Sequence, residues 1–488
     1  MTDTAKEPVL IIMFGATGDL ACRKLYPALF ELYKKRHEFA VIGLARRQHT
    51  HESYRSMIDR TLRGASDQRQ EFLDRFYYLP LDVSAVEHFY RLKRIADQID
   101  SQYHLGGNRI YYLSLAPRFF GQAAQNLKSA GLTETAGWKR AVIEKPFGHD
   151  LASAKALNKE LLAVFREPEI YRIDHYLGKE MVQNIEALRF ANPIFESIWN
   201  YRHIANVQIT LSETLGVGDR ASYYDQTGAL LDMVQNHILQ LMILTAMEPP
   251  SRFDTEDVRQ EKVKVLKAIR PLERENIAQQ IVRAQYKAGV MPDGTRISGY
   301  HGENNIDASS TTETFIAARF FIDNYRWSGV PFYVRTGKRM AAKSTEIVIQ
   351  FKDIPQNPFF YELQKAGPNL LVIHIQPDEG LSLKLNVKEF GESGATLPIS
   401  MNFSNHYNGR NQAPEAYERL LGDCLRGDST NFTRWDEVAY SWILTDSIVA
   451  AWDKIPLDYY EAGTMGPDAS DELLARDGFC WWPLTKME

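Results

Sequence analysis

Val9–Phe14 is an unbroken apolar run of strand length, the pattern of a β-strand covered on both faces. Leu25, Leu29, Leu32 and Tyr33 then recur at helical spacing. Four more strand-like runs follow, Phe39–Leu44, Tyr77–Leu81, Arg109–Leu115 and Ala141–Glu144, the last ended by Lys145-Pro146. Strands alternating with helical stretches predict a Rossmann-like, doubly wound parallel sheet, an α/β domain over residues 1–178. Beyond Gly178 the period becomes two. Leu381, Leu383, Leu385 and Val387 alternate with Ser382, Lys384 and Asn386, and Val207, Ile209 and Leu211 with Gln208, Thr210 and Ser212. Alternation of this kind predicts half-buried strands, joined by Phe315–Ile322, Glu346–Phe351 and Leu370–Ile375. The expectation for residues 179–488 is therefore an α+β domain with a large, mainly antiparallel sheet. Helices, notably Gly228–Met247, should cover its other face. Gly289–Asn305, with four glycines and a proline, reads as a loop.

A chain of 488 residues exceeds the size at which one core stops growing, which agrees with two domains. A formal net charge of −5 argues against a nucleic-acid partner. Three cysteines, Cys22, Cys424 and Cys480, form no C-x-x-C pair, and there is no H-E-x-x-H. Neither a disulfide framework nor a metal site is expected. The N-terminus lacks the charge pattern of a secretory signal, and no apolar run approaches a membrane span. The expected location is the cytoplasm. Cys22 lies near a helix start that could lower its pKa, with packing as its other role.

The first strand runs into Gly15-Ala16-Thr17-Gly18-Asp19-Leu20-Ala21 and then a helix. A glycine turn there lets backbone amides approach a pyrophosphate at a helix N-terminus. The spacing G-x-x-G-x-x-A departs from G-x-G-x-x-G, and any tight turn can hold two glycines. The second strand ends at Arg46-Arg47, where an NAD site would carry an acid. Guanidiniums suit a 2′-phosphate, so NADP is favoured, with NAD left open.

Lys145 follows the fifth strand, at the end where such sheets bind ligands, and Pro146 could be cis. Arg172-Ile173-Asp174-His175-Tyr176-Leu177-Gly178-Lys179-Glu180 offers a carboxylate, an imidazole, a phenol and an ammonium. His175, Tyr176 and Lys179 could converge on a phosphate, His175 and Lys179 sharing a face if the segment is helical. A mixed polar loop is the alternative. His237 falls on the apolar stripe of Leu230, Met233, Leu241 and Leu244, where spacing alone reads as core. Asp232, five residues away, is about 140° around an ideal α-helix.

Arg172–Glu180 resembles the substrate signature of the glucose-6-phosphate dehydrogenase family, and Gly15–Ala21 through Arg23-Lys24-Leu25-Tyr26-Pro27 resembles its coenzyme fingerprint. Glu144–Gly148, Asn184–Phe195, Gly329–Lys343 and Thr464-Met465-Gly466-Pro467 extend the resemblance over nearly the whole chain. It implies oxidation of glucose 6-phosphate at C1 to 6-phosphoglucono-1,5-lactone, the first oxidative step of the pentose phosphate pathway. It also implies hydride transfer to NADP, with NAD a possible second coenzyme, and a homodimer. His237 matches the general base and Asp174 the carboxylate that orients it. His175, Tyr176, Lys179 and Lys343 match phosphate ligands, while Lys145, Glu213, Asp232 and Lys338 match positions near the sugar. Gly15, Thr17, Gly18, Asp19, Leu20, Lys24, Arg46, Ser114, Ala116, Pro117 and Lys145 fall on the coenzyme side.

Two rivals remain. Enzymes resembling the glucose–fructose oxidoreductase group also place Glu-Lys-Pro after a parallel strand, but Asp174–Lys179 supplies phosphate ligands. A non-catalytic nucleotide sensor would have no need of Lys145, Asp174 and His237 together.

Overall fold

The computed structural model describes residues 7–353, 367–388, 396–404 and 414–484. The chain divides into two units. The first comprises Met1–Gly178 with two later segments, Arg252–Arg259 and Pro414–Ala439; the second holds the remainder. An uninterrupted second domain over 179–488 had been the expectation, so two returning segments are the difference. Local patterning carries no signal for a segment that crosses back.

The first unit contains β1 (Val9–Phe14), β2 (Phe39–Ala45), β3 (Phe76–Pro80), β4 (Arg109–Leu113), β5 (Lys139–Ile143) and β6 (Ile170–Arg172). They form one parallel sheet in the order β3-β2-β1-β4-β5-β6. β1 is fully buried, as its unbroken apolar run requires, with helices covering the sheet. β6 was not among the predicted strands. Three residues are too few to show a period, and pairing with β5 defines it. The returning helix Ala416–Arg426 inserts Leu420, Leu421 and Cys424 into the core formed by the helix Tyr26–Lys34 and β1.

The second unit contains β7 (Ile204–Ser212), β8 (Ile281–Lys287), β9 (Gly289–Val290), β10 (Arg296–Ile297), β11 (Phe315–Phe321), β12 (Pro331–Gly337), β13 (Ser344–Phe351), β14 (Leu370–Gln376), β15 (Gly380–Lys388), β16 (Thr396–Ser404) and β17 (Leu457–Glu461). β9 and β10 pair as a small hairpin inside the stretch read as a loop. The other nine form one sheet, β16-β15-β14-β13-β7-β12-β11-β8-β17. It is mainly antiparallel, but β7 pairs β12 and β8 pairs β17 in parallel. The predicted half-buried alternation of β15 is not seen: beyond Ser382 its apolar and polar side chains, Lys384 and Asn386 included, are half-buried alike. Ser382 is buried and bonded to His374, while Leu381, Leu383 and Leu385 are only half-buried. Their partners Phe403, Met401 and Ile399 on β16 are exposed.

The predicted helix Gly228–Met247 is interrupted at its first residue. Gly228 has φ +64°, ending the segment Ala221–Ala229. Leu230–Ile238 then winds as a π-helix and Leu239–Ala246 as an α-helix. Gly218–Ala246, 29 residues, matches a membrane span by length and composition, contrary to the expectation that no run comes near one. Its most apolar window is 83% buried inside the protein, the position of a core helix.

Candidate active site

The candidate residues fall into two sets, one on each unit. On the first, Gly15 leaves β1 with φ +71°, and a Cβ there would sit 2.0 Å from the Ser114 carbonyl oxygen. The turn after β1 therefore rests directly on the turn after β4, and only glycine permits the approach. The turn is closed by Gly18 N donating to Gly15 O at 2.9 Å, and Tyr26 Oη donates to the Ala16 carbonyl. Tyr54 bonds Tyr26 at 2.8 Å and fills the space a Cβ on Gly43 would need. Gly15, Thr17, Gly18, Asp19, Leu20, Ser114, Ala116 and Pro117 are thus grouped at the carboxyl ends of β1 and β4, where the sheet order reverses direction.

Arg46 and Arg47 are exposed past the end of β2, a segment that itself carries no acid, and the Arg46 charge is felt by Asp82. Asp19 pairs with Arg23 at 2.7 Å on the surface, and Lys24 pairs with Glu415 at 2.7 Å. Cys22 is pushed up from the ordinary thiol value by burial and by Asp19, so the helix start does not activate it. Glycines and surface guanidiniums at this crevice suit a nicotinamide dinucleotide.

The Lys145–Pro146 bond is cis. Beside Lys145, the buried Glu144 accepts a hydrogen bond from Tyr112 Oη at 2.5 Å and another from Tyr417. Burial raises its pKa to about 7 against those bonds and the Lys145 charge. Arg172, also buried, bonds Glu167 at 2.6 and 2.9 Å and Asn158 at 2.7 Å, fixing the strand that leads to Asp174. Asp174 is buried and accepts the Tyr176 amide at 2.9 Å. The His175 ring stacks on Tyr417, 6.4 Å between centroids and 3° from parallel.

His175–Gly178 forms a 3₁₀ turn and Lys179 is extended before the helix Glu180–Phe190. The shared α-helical face of His175 and Lys179 therefore does not exist. Helix Ala416–Arg426 packs so closely on the turn that a Cβ on Gly178 would lie 2.5 Å from the Ala416 carbonyl oxygen. Tyr417 was missed by the sequence reading, because nothing local marks a residue on a returning segment.

On the second unit, β7 and β12 run parallel with Ser212 opposite Gly337. Their next residues, Glu213 and Lys338, emerge side by side and form an ion pair. Lys338 Nζ also lies 4.0 Å from Asp232 Oδ2 and 5.2 Å from the Tyr224 ring centre. Lys343 is exposed just before β13, which pairs Ser344 with Ser212 at this same sheet end. Lys179 Nζ donates to Gln376 Oε1 at 2.6 Å, and Gln376 donates to Thr345 Oγ1 at 2.9 Å. Gln376, at the end of β14, was not anticipated.

Asp232 and His237 are buried and lie on the π-helix. The i→i+5 bonding of a π-helix stacks residues five apart, so the separation calculated for an α-helix does not apply. The helix's winding brings acid and imidazole towards one face.

The order β3-β2-β1-β4-β5-β6 with a glycine turn after β1 defines the first unit as a member of the dinucleotide-binding class. Comparison with known proteins is specific. The family described as "Glucose-6-phosphate dehydrogenase, NAD binding domain" matches residues 12–184, and "Glucose-6-phosphate dehydrogenase, C-terminal domain" matches 186–482. Glucose-6-phosphate 1-dehydrogenase of Bacillus subtilis (strain 168) is 52% identical over 486 residues, covering 98% of this chain and 99% of its own. That of Leuconostoc mesenteroides is 43% identical over 480 residues, covering 97% and 98%. A solved glucose-6-phosphate dehydrogenase in complex with its substrate glucose 6-phosphate has a TM-score of 0.89 at 36% identity, covering 98% of this chain and 99% of its own. The chain belongs to the glucose-6-phosphate dehydrogenase family, and is an oxidoreductase.

Proposed function

We propose that the protein oxidises glucose 6-phosphate at C1 to 6-phosphoglucono-1,5-lactone, using NADP in preference to NAD. The observation that carries the sugar site is the cluster of Glu213, Asp232 and Lys338 on the helix-and-strand framework that bears His237. Carboxylates and an ammonium grouped at one sheet end can hold the hydroxyls of a pyranose by charge-assisted hydrogen bonds. A bound nicotinamide supplies the hydride acceptor. His237 takes the C1 hydroxyl proton, a task for which an imidazole is suited near neutral pH. Asp174 orients that imidazole and offsets the positive charge it acquires. Lys179, His175, Tyr176 and Lys343 bind the phosphate, and this remote binding energy aligns C1 for reaction. Lys145 serves the sugar and the coenzyme together.

NADP over NAD is supported by Arg46 and Arg47, exposed where an acid would favour NAD. Lys24 and Asp19 would contribute to the coenzyme site by exchanging their surface partners Glu415 and Arg23, pairs that cost little to break. Three unpaired cysteines support a cytoplasmic location.

A homodimer is supported by the exposed apolar side chains of β16 and the half-buried ones of β15. Leu397, Ile399, Met401 and Phe403 are 36%, 36%, 59% and 46% exposed on an edge strand, opposite Val387, Leu385, Leu383 and Leu381. A contiguous apolar stripe of eight side chains is suited to cover itself with the same stripe on a second copy. Sedimentation of Met401→Asp should then give a monomer where the unaltered chain gives a dimer.

Initial rates with glucose 6-phosphate and with glucose, each with NADP and NAD, test the reading. The pair glucose 6-phosphate and NADP should be fastest, and equal rates on glucose would remove the phosphate assignment. His237→Asn should abolish turnover while leaving substrate binding nearly intact; near-normal turnover would remove it as the base.

A further inference from the structure

The helix carrying Asp232 and His237 starts abruptly after Gly228, and its first amides are satisfied from a distant part of the chain. Glu313 Oε1 accepts the Leu230 amide at 3.0 Å, and the Glu313 main-chain oxygen accepts the Ala229 amide at 3.1 Å. The fit is tight: a Cβ on Gly228 would lie 2.2 Å from Glu313 Oε1. One residue thereby supplies two acceptors to a helix start that has no side-chain cap of its own.

The next residue continues the connection. Thr314 O accepts the Lys338 amide at 2.9 Å, and Tyr460 Oη donates to the Lys338 carbonyl at 2.6 Å and approaches Thr314 O at 3.3 Å. Glu313-Thr314 therefore links the start of the Asp232–His237 helix to the strand end that carries Lys338. Arg283 from β8, Tyr224 from the preceding helix and Tyr300 face Glu313 electrostatically. Among the described residues none makes an ion pair with it. Burial, the largest influence, raises its pKa to about 7. A carboxyl buried without an ion pair is costly, and replacing it by an apolar group would relieve that cost. Its Oε1 on the Leu230 amide, which unlike the main-chain oxygen on the Ala229 amide is lost on substitution, gives the side chain a role beyond stability.

We infer that Glu313 is a positioning residue for the reaction, a clamp that sets the height and rotation of the helix bearing Asp232 and His237 relative to Lys338. The inference rests on the roles proposed above for those residues. Removing the clamp lets the first turn fray, and a displacement of about 1 Å at a reacting group can cost about 100-fold in rate. The phosphate contacts of Lys179 and Lys343 are kept while the sugar contacts of Asp232 and Lys338 are loosened, so KM rises modestly and by less than kcat falls.

Glu313→Ala and Glu313→Gln are compared by steady-state kinetics and by hydrogen exchange of the amides 229–238. Glu313→Ala should lower kcat by about 10- to 100-fold with KM for glucose 6-phosphate within about threefold, and should speed exchange across 229–238. Glu313→Gln keeps an acceptor oxygen at the same reach and should restore both. Faster exchange with unchanged kcat, or unchanged exchange, overturns the inference. Failure of the base assignment is seen separately, as turnover retained in His237→Asn. Should Glu313→Ala not be recovered folded, Glu313→Asp, which withdraws the acceptor by one methylene, is read by the same two measurements and the same outcomes.

Discussion

Arg172 closes β6 two residues before Asp174, and removing its partner is the sharpest test of how that segment is held. Its guanidinium is 2% exposed, bonds both oxygens of Glu167, and stands 4.9 Å from the Phe147 ring centre. Glu167 Oε1 also accepts the Trp435 amide at 2.9 Å, tying in a returning segment. Glu167→Ala leaves a buried guanidinium without its countercharge, a change that costs about 3–5 kcal/mol. Glu167 is 28% exposed, so water can partly replace it, which favours the lower end, near 3 kcal/mol. For a unit of roughly 200 residues this corresponds to about 6–12 °C in Tm. The neighbouring Arg166 provides the contrast. Its side chain is 82% exposed where it meets Glu169 at 2.8 Å, so Arg166→Ala should cost about 0.5 kcal/mol. Thermal unfolding of both variants by calorimetry measures the difference. Indistinguishable Tm values would refute the reasoning, because of two Arg–Glu pairs of similar length only the first is buried and also tied to the Trp435 amide.

Gly15→Ala should raise the coenzyme KM by about tenfold or more and lower Tm, since its Cβ would lie 2.0 Å from the Ser114 carbonyl oxygen and φ is +71°; an unchanged coenzyme KM would detach this turn from the coenzyme. Glu144, ordinarily near 4.5, is raised to about 7 in the folded state. The folded form therefore holds a proton that the unfolded form releases between these values, and stability present below pH 4.5 is lost as pH rises through 7. Glu144→Gln should flatten that decline by on the order of 3 kcal/mol, read from urea midpoints at pH 5 and 8; a decline as steep as in the unaltered protein would argue against it. Lys179→Ala should raise the KM for glucose 6-phosphate, and Gln376→Leu, which frees the lysine amine from its 2.6 Å partner, should raise it less. A Gln376 variant more damaging than the lysine variant would reverse that order of roles.

Much of the fold was legible because strand and helix periods are local. The six-residue run of β1 and the strand–helix alternation after it identify a sheet buried on both faces. The glycine turn after β1 and the arginines after β2 could be placed because chain direction alone puts them at the ligand end of a parallel sheet. Glu213 and Lys338 were nameable from family resemblance, yet their meeting depends on parallel pairing of β7 with β12. No period records that pairing, since a strand's alternation is the same in either direction.

By itself the sequence determined the two-part architecture, the nucleotide turn and the family. The tertiary structure decided what surrounds each candidate. Tyr417 reaches His175 and Glu144 from a returning helix, and Glu313 reaches the helix of Asp232 and His237 from far along the chain. The π-winding of that helix and the exposure of the apolar side chains of β16 were also hidden. Apolar periodicity reports which side of an element leaves water, but whether that side meets the core or another surface is set by partners distant in the chain.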